Sequence, residues 1–203
     1  MSPQANYMKA EERRAATVAI VVTLAAERNP SEISTTDIAK AMGVTQGALF
    51  KHFPTKDAIV QAVIQWVADK LLSRIEQAEQ SKTAPIEAIE AMFFAHIRFV
   101  SEYPGAPRML FSELQRKQPS VPKQIATTLL KSYSARIQRL LEDGKTQGLV
   151  RTDLDTNAAA SLLIGTIQGL VMQSLLVNNI SLMHSQAPKV FDIYRHGIEV
   201  SYD

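Results

Sequence analysis

A cluster of side chains suited to nucleic-acid binding lies between residues 38 and 56 of the 203-residue chain. The charged residues of this stretch are all lysines, Lys40, Lys51 and Lys56, and none is acidic. Cations that neutralise phosphates release condensed counterions, so an acid-free cationic surface favours a polyanion. Around Lys51 the chain offers side chains of varied size and polarity: Gln46, Ala48, Phe50 and His52. Together they predict a surface suited to the major groove of DNA.

The first element that must position these side chains is a short helix beginning after Ser34 or Thr35. Either hydroxyl can cap it by accepting hydrogen bonds from the free backbone N–H groups of the first turn. Its inner side carries three apolar residues at helical spacing: Ile38, Ala39 and Met42. Gly43 follows, and glycine adopts the positive φ that ends a helix at the lowest cost. The pattern predicts a helix that ends in a tight turn.

A second short helix is predicted from Gln46 to His52. Thr45 can cap it, and Val44 places an apolar side chain in the turn before it. Leu49 and Phe53 stand four residues apart and anchor one face, which leaves the polar side chains on the other. Two short helices joined in this way form a helix-turn-helix, whose second helix enters the major groove in DNA-binding proteins.

The same pattern has a second interpretation. Helix-turn-helix corners also occur in helical proteins that bind no DNA, and three lysines are compatible with an ordinary solvated face. The motif taken by itself leaves both interpretations open.

The run TTDIAKAMGVTQGALFKHFPTKDAIVQAV, from Thr35 to Val63, resembles the signature of the TetR family of bacterial transcriptional repressors. The resemblance extends upstream through a helix ending at Glu27, and the rest of the chain resembles the family mainly in helix layout. It implies a homodimer that binds a double-stranded palindromic operator and releases it when a small-molecule effector enters a second domain. Constitutive DNA binding without an effector is the alternative within this class.

The resemblance also implies which residues contact DNA. Hydroxyl residues at the start of the first helix meet phosphate: Ser34, Thr35 and Thr36. Thr45 and Lys56 hold phosphates on either side of the second helix. Gln46 reads a base, since its amide can bond an adenine edge in bidentate fashion.

The remaining contacts implied by the resemblance lie on the second helix. Lys51 reaches a guanine or a phosphate, and Gly47 and Ala48 let the backbone approach the DNA closely. Phe50 departs from the family pattern, because a tyrosine is usual there and its phosphate-binding hydroxyl is missing. His52 matches a position that commonly contacts phosphate, and a capping or core-edge histidine is the alternative.

The helix before the motif is predicted from Tyr7 to Glu27. Its buried stripe is expected to contain Ala15, Val18, Val22 and Ala25. Basic residues lie near its start, where family members often touch DNA: Lys9, Arg13 and Arg14. A solvated helix end, partly neutralised by Glu11 and Glu12, is the other interpretation.

Composition is that of a folded protein, with 46% hydrophobic and 21% charged residues and a formal net charge of +2. The absence of cysteine excludes disulfides and thiolate-ligated metals. The stretch from Met1 to Arg14 is polar and has no apolar core of a signal peptide, so we expect a cytoplasmic protein.

We therefore expect an all-α fold of about nine helices, with a helix-turn-helix DNA-binding domain at residues 1–67 and a helical ligand-binding and dimerisation domain at residues 68–203. Apolar periodicity and breaks at proline and glycine predict the further helices. They are Lys56–Gln80, Pro85–Tyr103, Arg108–Lys117, Val121–Gln147, Asp155–Val177 and Ser185–Tyr202.

The helix from Asp155 to Val177 is unusual because no Lys, Arg, Asp or Glu occurs between Thr156 and Pro188. Such a run can span a membrane. Gln168 and Gln173 within it and the lack of a basic flank argue against that. We expect no membrane association and a homodimer formed through the last two long helices, as the resemblance implies.

A ligand pocket between helices is expected to be mostly apolar with a few polar groups. The candidates that can line it are Phe93, His96, Phe99, Met109, Phe111, Tyr133, Gln168, Met172 and Gln173. Each of them can equally be an ordinary core residue. No buried-looking charge cluster occurs in this set, which favours an apolar or aromatic effector.

The sequence offers little for catalysis. Its four histidines show no metal-binding spacing to one another or to an acid, so we expect no metal and no cofactor. No serine-nucleophile elbow, P-loop or dinucleotide fingerprint occurs. A helical enzyme is therefore the weaker alternative.

Overall fold

The computed structural model describes residues 10–200, and within them the chain is helical, with an isolated bridge between Val150 and Glu199 in place of any sheet. This confirms the predicted all-α fold. The helices of these residues are α1 (Ala10–Glu27), α2 (Thr35–Ala41), α3 (Gln46–Phe50), α4 (Lys56–Gln80), α5 (Pro85–Glu102), α6 (Gly105–Leu114), α7 (Val121–Thr146), α8 (Thr156–Leu176) and α9 (Ile180–Ile198). The predicted helix start at Tyr7, Lys9 and the predicted helix end at Tyr202 lie outside the described residues.

The described chain divides into two compact units. The first contains residues 10–67 together with residues 103–124, and the second contains residues 68–102 and 125–200. The first unit therefore includes α6 as well as the helix-turn-helix. The predicted functional division at residue 67 stays a prediction.

The first unit is built around α1. Val18, Val22 and Ala25 are buried as predicted, but Ala15 is exposed, because the buried stripe continues through Thr17 instead. The Thr17 hydroxyl is satisfied inside the unit: it donates to the Arg13 carbonyl at 2.8 Å and lies 3.3 Å from the Met42 sulfur. This contact joins α1 to the end of α2.

The start of α6 differs from the prediction. The helix begins at Gly105, three residues before the expected Arg108. The Pro-Gly-Ala-Pro run predicts a break. In the structure Pro104 is the N-cap and Pro107 lies in the first turn, where backbone N–H groups have no partner within the helix. The N–H groups that these prolines lack therefore remove no hydrogen bond from the helix. Leu114, the last residue of the helix, is 52% exposed.

In the second unit α8 packs along α9, and α5 packs against both. Phe93 and Phe191 meet with ring centroids 5.1 Å apart, and the Tyr194 hydroxyl donates to the Ala159 carbonyl at 3.2 Å. Arg195 pairs with Glu90 of α5. These contacts join α5, α8 and α9 around buried aromatic side chains.

The last helix begins five residues earlier than predicted, at Ile180 rather than Ser185. Asn178 has φ 49° and Asn179 caps the helix by accepting from the Ser181 N–H at 3.1 Å. Pro188 then lies inside the helix. Ile193, on the same helix as the buried Tyr194 and Ile198, is 73% exposed.

Candidate nucleic-acid interface

The N-terminus of α2 is fixed by a reciprocal cap. The Asp37 N–H donates to the Ser34 hydroxyl at 3.1 Å, while the Ser34 N–H donates to the Asp37 carboxylate at 2.9 Å. The Ser34 hydroxyl also donates to this carboxylate at 2.6 Å. These bonds hold the pKa of Asp37 below its usual value, with a smaller contribution from Arg28 at 3.5 Å. In the free protein Ser34 thus acts as the cap of α2.

The turn between the two helices adopts the predicted conformation. Gly43 has φ +66°, the left-handed region that glycine occupies without strain. The Val44 N–H donates to the Ala39 carbonyl at 3.0 Å, which closes the end of α2. The turn therefore sets the angle at which α3 leaves α2.

Thr45 caps α3 as predicted, accepting from the Ala48 N–H at 3.2 Å. Leu49 and Phe53 are 2% and 0% exposed, so the two predicted anchors are both in the core. The helix ends at Phe50, two residues before the predicted His52, although the Phe53 N–H still reaches the Leu49 carbonyl at 3.1 Å. Helix α3 is therefore short, and the buried side chains of Leu49 and Phe53 hold it against the core of the first unit.

The opposite face of α3 is open to solvent. Gln46, Gly47 and Lys51 are exposed, Phe50 is 40% exposed, and Ala48 and His52 are half-buried. None of the side chains that are predicted to contact DNA from this helix is therefore fully buried. Within residues 10–200 no ion pair occupies Lys40, Lys51 or Lys56.

Two hydrogen bonds hold predicted contact residues in place. The Gln46 amide Nε2 donates to the Thr35 hydroxyl oxygen at 2.6 Å, which joins the first residue of α3 to the first residue of α2. The Lys56 ammonium donates to the Ser31 carbonyl at 3.4 Å. Thr36 is exposed beside Thr35.

Arg14 has a role that the sequence did not indicate. Its guanidinium donates to the His52 carbonyl at 2.6 Å and lies 4.4 Å from the centroid of the Phe53 ring. It thereby binds the chain just after α3 to α1, a contact across 38 positions that no local pattern reveals. This contact within the unit is a role beyond the two expected for Arg14, of which the DNA contact stays a prediction.

The residues predicted to line a ligand pocket are divided between the two units. Met109 and Phe111 belong to the first unit, and the others belong to the second. Phe93, Phe99 and Tyr133 are buried there, whereas Gln168, Met172 and Gln173 are exposed on α8. Gln168 lines an open groove of about 460 Å³ between α7 and α8, with Lys131, Gln138 and Asn157.

His96 and Tyr133 form the most distinctive part of this set. Their ring centroids are 5.7 Å apart, and the His96 Nδ1 and Tyr133 hydroxyl are both buried without a hydrogen-bond partner among the described residues. The His96 residue as a whole is only partly buried, although its Nδ1 is inaccessible. Burial lowers the pKa of His96 to about 4 and raises the pKa of Tyr133, so both groups are neutral near pH 7.

A capped α2, a glycine turn and a short α3 with an exposed polar face define a helix-turn-helix, the motif whose second helix enters the major groove in DNA-binding proteins. Comparison with known proteins agrees. Residues 22–63 match the family described as bacterial regulatory proteins, tetR family, and residues 65–197 match the YsiA-like protein C-terminal region. The chain belongs to the TetR family and is a DNA-binding transcriptional regulator.

Several named proteins are similar to this chain in sequence or in fold. The nucleoid occlusion factor SlmA of Vibrio cholerae is 23% identical over 165 residues, which are 81% of this chain and 84% of SlmA. The transcriptional repressor KstR2 of Mycolicibacterium smegmatis is 25% identical over 146 residues, 71% of each chain. The crystal structure of FadR from Bacillus subtilis with stearoyl-CoA has the same fold, with a TM-score of 0.78, 19% identity and coverage of 91% of this chain and 99% of FadR.

Proposed function

We propose that the protein is a homodimeric repressor that binds a palindromic operator and leaves it when a small apolar effector enters the second unit. The observation that carries this proposal is the α3 face, where Gln46 and Lys51 are exposed with no acid between Ile38 and Lys56. Each α3 would enter one major groove, with half-site centres about 34–36 Å or a multiple apart. The site of action is the cytoplasmic nucleoid.

In this proposal the contact residues divide by chemistry. The hydroxyl and cationic residues bind phosphate: Ser34, Thr35, Thr36, Thr45, His52 and Lys56. Gln46 reads a base edge, and Lys51 reaches a guanine or a phosphate. Gly47 and Ala48 allow close approach, and the 40% exposed Phe50 offers an apolar surface to a thymine methyl group.

The outer face of α8 supports the homodimer. Apolar or small residues recur there every three or four positions: Leu162, Gly165, Gly169, Met172 and Leu176. Leu162 and Leu176 are 62% and 78% exposed, and Ile193 on α9 is 73% exposed. We call these six residues the α8–α9 face. A second copy would bury this face, with the glycines allowing close helix approach.

Among residues 10–200, α8 is long and apolar enough to cross a membrane by length and composition alone. Its packing along α9 within a DNA-binding regulator favours burial against a second copy over insertion in lipid. We therefore propose no membrane partner.

The effector site is proposed at His96 and Tyr133. Two neutral polar atoms without partners, on the neighbouring rings of His96 and Tyr133, suit an uncharged hydrogen-bonding group on an apolar molecule. A buried carboxylate would find no compensating cation in this pair. Ketosteroid and acyl thioester compounds, which are named with the related KstR2 and FadR, are the first classes to try.

The experiment is a selection from random-sequence duplexes followed by equilibrium titration. The purified protein should enrich a palindrome and bind it with a strong salt dependence. A panel of ketosteroids and acyl thioesters is then added. Release by one member supports the full proposal, whereas enrichment without release by any small molecule supports a constitutive DNA-binding dimer. No enriched sequence would contradict the proposed function.

A further inference from the structure

Gln46 is not a freely rotating side chain in the structure. Its amide lies 2.6 Å from the Thr35 hydroxyl, although both residues are in contact with solvent. Thr35 is the first residue of α2 and Gln46 is the first residue of α3, so the bond connects the two helices at the ends that share one face. A flexible, exposed glutamine would otherwise lose more rotamer entropy on binding DNA.

The amide of glutamine has two edges with different chemistry. One N–H points away from the carbonyl oxygen, and the other lies beside it. The second N–H and the oxygen together form the donor–acceptor pair that matches adenine N7 and N6. A bond to Thr35 through the first N–H therefore leaves the base-reading edge free.

A hydroxyl can either donate to an amide oxygen or accept from an amide N–H. The oxygens of a phosphate diester only accept hydrogen bonds at neutral pH, so a phosphate at Thr35 accepts a hydrogen bond from the Thr35 hydroxyl. Thr35 must then accept from Gln46, which fixes the nitrogen toward Thr35 and the oxygen toward the base. The backbone contact thus determines the orientation of the reading amide.

We propose that Thr35 is a positioning residue for base readout, which makes Gln46 select adenine over guanine when the phosphate is bound. This inference rests on the proposed function of Gln46. Guanine presents two acceptors in the major groove, at O6 and N7, and so needs donors at both positions. An amide held by Thr35 presents its oxygen to one of them, whereas a released amide can rotate and offer N–H groups instead.

The test compares Thr35→Val, Thr35→Ser and Thr36→Val on a duplex selected by the wild-type protein and altered at each base pair in turn. Valine has the shape of threonine without the hydroxyl, and serine keeps the hydroxyl. The wild type should prefer A·T over G·C at one position of each half-site by about 5- to 150-fold. Thr35→Val should lose most of this preference, and Thr35→Ser should retain it.

Thr36 is the matched control, because it is an exposed neighbouring threonine that is also proposed to meet phosphate, and in the described part of the chain the Gln46 amide bonds Thr35 and not Thr36. Thr36→Val should weaken binding to all duplexes by a common factor and leave the preference intact. If Thr35→Val behaves in the same way, the positioning role is overturned.

The Gln46→Ala variant distinguishes a failure of this inference from a failure of the proposed function on which it rests. If Gln46→Ala removes the same A·T preference and Thr35→Val then has no further effect on it, the coupling of the two residues is established. If Gln46→Ala changes no base preference while the protein still selects a palindrome, the Gln46 assignment and this inference both fail, but operator binding stands. Failure to select any duplex overturns the proposed function itself.

Discussion

Gly105 lies so close to Val22 that a Cβ atom at position 105 would be 1.9 Å from the Val22 carbonyl oxygen and 2.9 Å from the Ala26 nitrogen. The first residue of α6 therefore rests directly on the backbone of α1. Because backbone atoms cannot rotate away as a side chain would, the two helices must separate to admit even a methyl group. The DNA-binding unit depends on this crossing.

Gly105→Ala is expected to destabilise the protein by about 1–3 kcal/mol, the cost of overpacking in a tight core. Urea unfolding followed by circular dichroism measures the loss. Gly47→Ala is the control, since nothing lies within 4 Å of a Cβ there, and alanine should leave stability unchanged or raise it slightly. Equal unfolding curves for the two variants would contradict the close crossing.

His96 makes the stability of the second unit depend on pH. Its pKa is about 4 in the folded protein and about 6.5 when unfolded, so the unfolded chain binds the proton first as pH falls. The contribution of His96 to the free energy of unfolding is fully present above pH 7 and is lost as the pH falls from about 6.5 to 4. The expected loss is about 2 kcal/mol between pH 7 and 5.

Unfolding curves of the wild type and His96→Gln at several pH values measure this contribution, because the carboxylate contributions are common to both. The difference in stability between the two should shrink by about this amount as pH falls from 7 to 5. His196→Asn, which removes an exposed histidine of α9, is the control and should keep the wild-type pH slope. Parallel slopes for wild type and His96→Gln would contradict a buried neutral imidazole.

Arg14 is expected to support DNA binding by holding the end of α3. Lysine retains the charge but not the planar group that bonds the His52 carbonyl and stacks on Phe53. Arg14→Lys and Arg14→Ala should therefore weaken operator binding similarly, by about fivefold for one lost hydrogen bond. Fluorescence anisotropy at several salt concentrations distinguishes the alternatives. A phosphate contact would instead leave Arg14→Lys close to wild type and flatten the salt slope of Arg14→Ala by about one.

The α8–α9 face gives a direct prediction about assembly. Leu162→Glu would bury a carboxylate in an apolar interface, so the dimer should dissociate at concentrations where the wild type is dimeric. Sedimentation equilibrium measures the change, which we expect to be at least about 100-fold in dissociation constant. Leu114→Glu, at a 52% exposed leucine of α6, is the control and should remain dimeric. An unaffected Leu162→Glu dimer would mean that another surface forms the assembly.

Local signals in the sequence predicted the helix-turn-helix well. The sequence predicted Gly43 as a helix end, Thr45 as a cap, and Leu49 with Phe53 as anchors. Each of these roles depends on neighbours within five residues, so a short stretch of sequence is enough to predict it. The Ser34–Asp37 cap also has a sequence signal, a serine followed three residues later by an acid. Asn179 is a typical N-cap residue, so the sequence also contains a signal for the observed start of α9, which the predicted start at Ser185 did not use.

Relationships between distant segments were not predictable in the same way. The early start of α6 depends on a glycine that must meet α1, and the exposure of Ala15 depends on which face of α1 packs against α2 and α6. The bonds Arg14–His52 and Thr35–Gln46 join positions 38 and 11 residues apart. Only three-dimensional packing decides them.

The most direct test of operator recognition is a combined hydroxyl-radical footprint and guanine-methylation interference experiment on the selected duplex. We expect two protected half-sites on one side of the DNA, centred about 10–10.5 base pairs or a multiple apart, with interference by methylation at guanine N7 in the major groove of each. Gln46→Ala should keep both protections with weaker base preference. Protection of a single half-site, or binding indifferent to major-groove methylation, would contradict the insertion of two α3 helices.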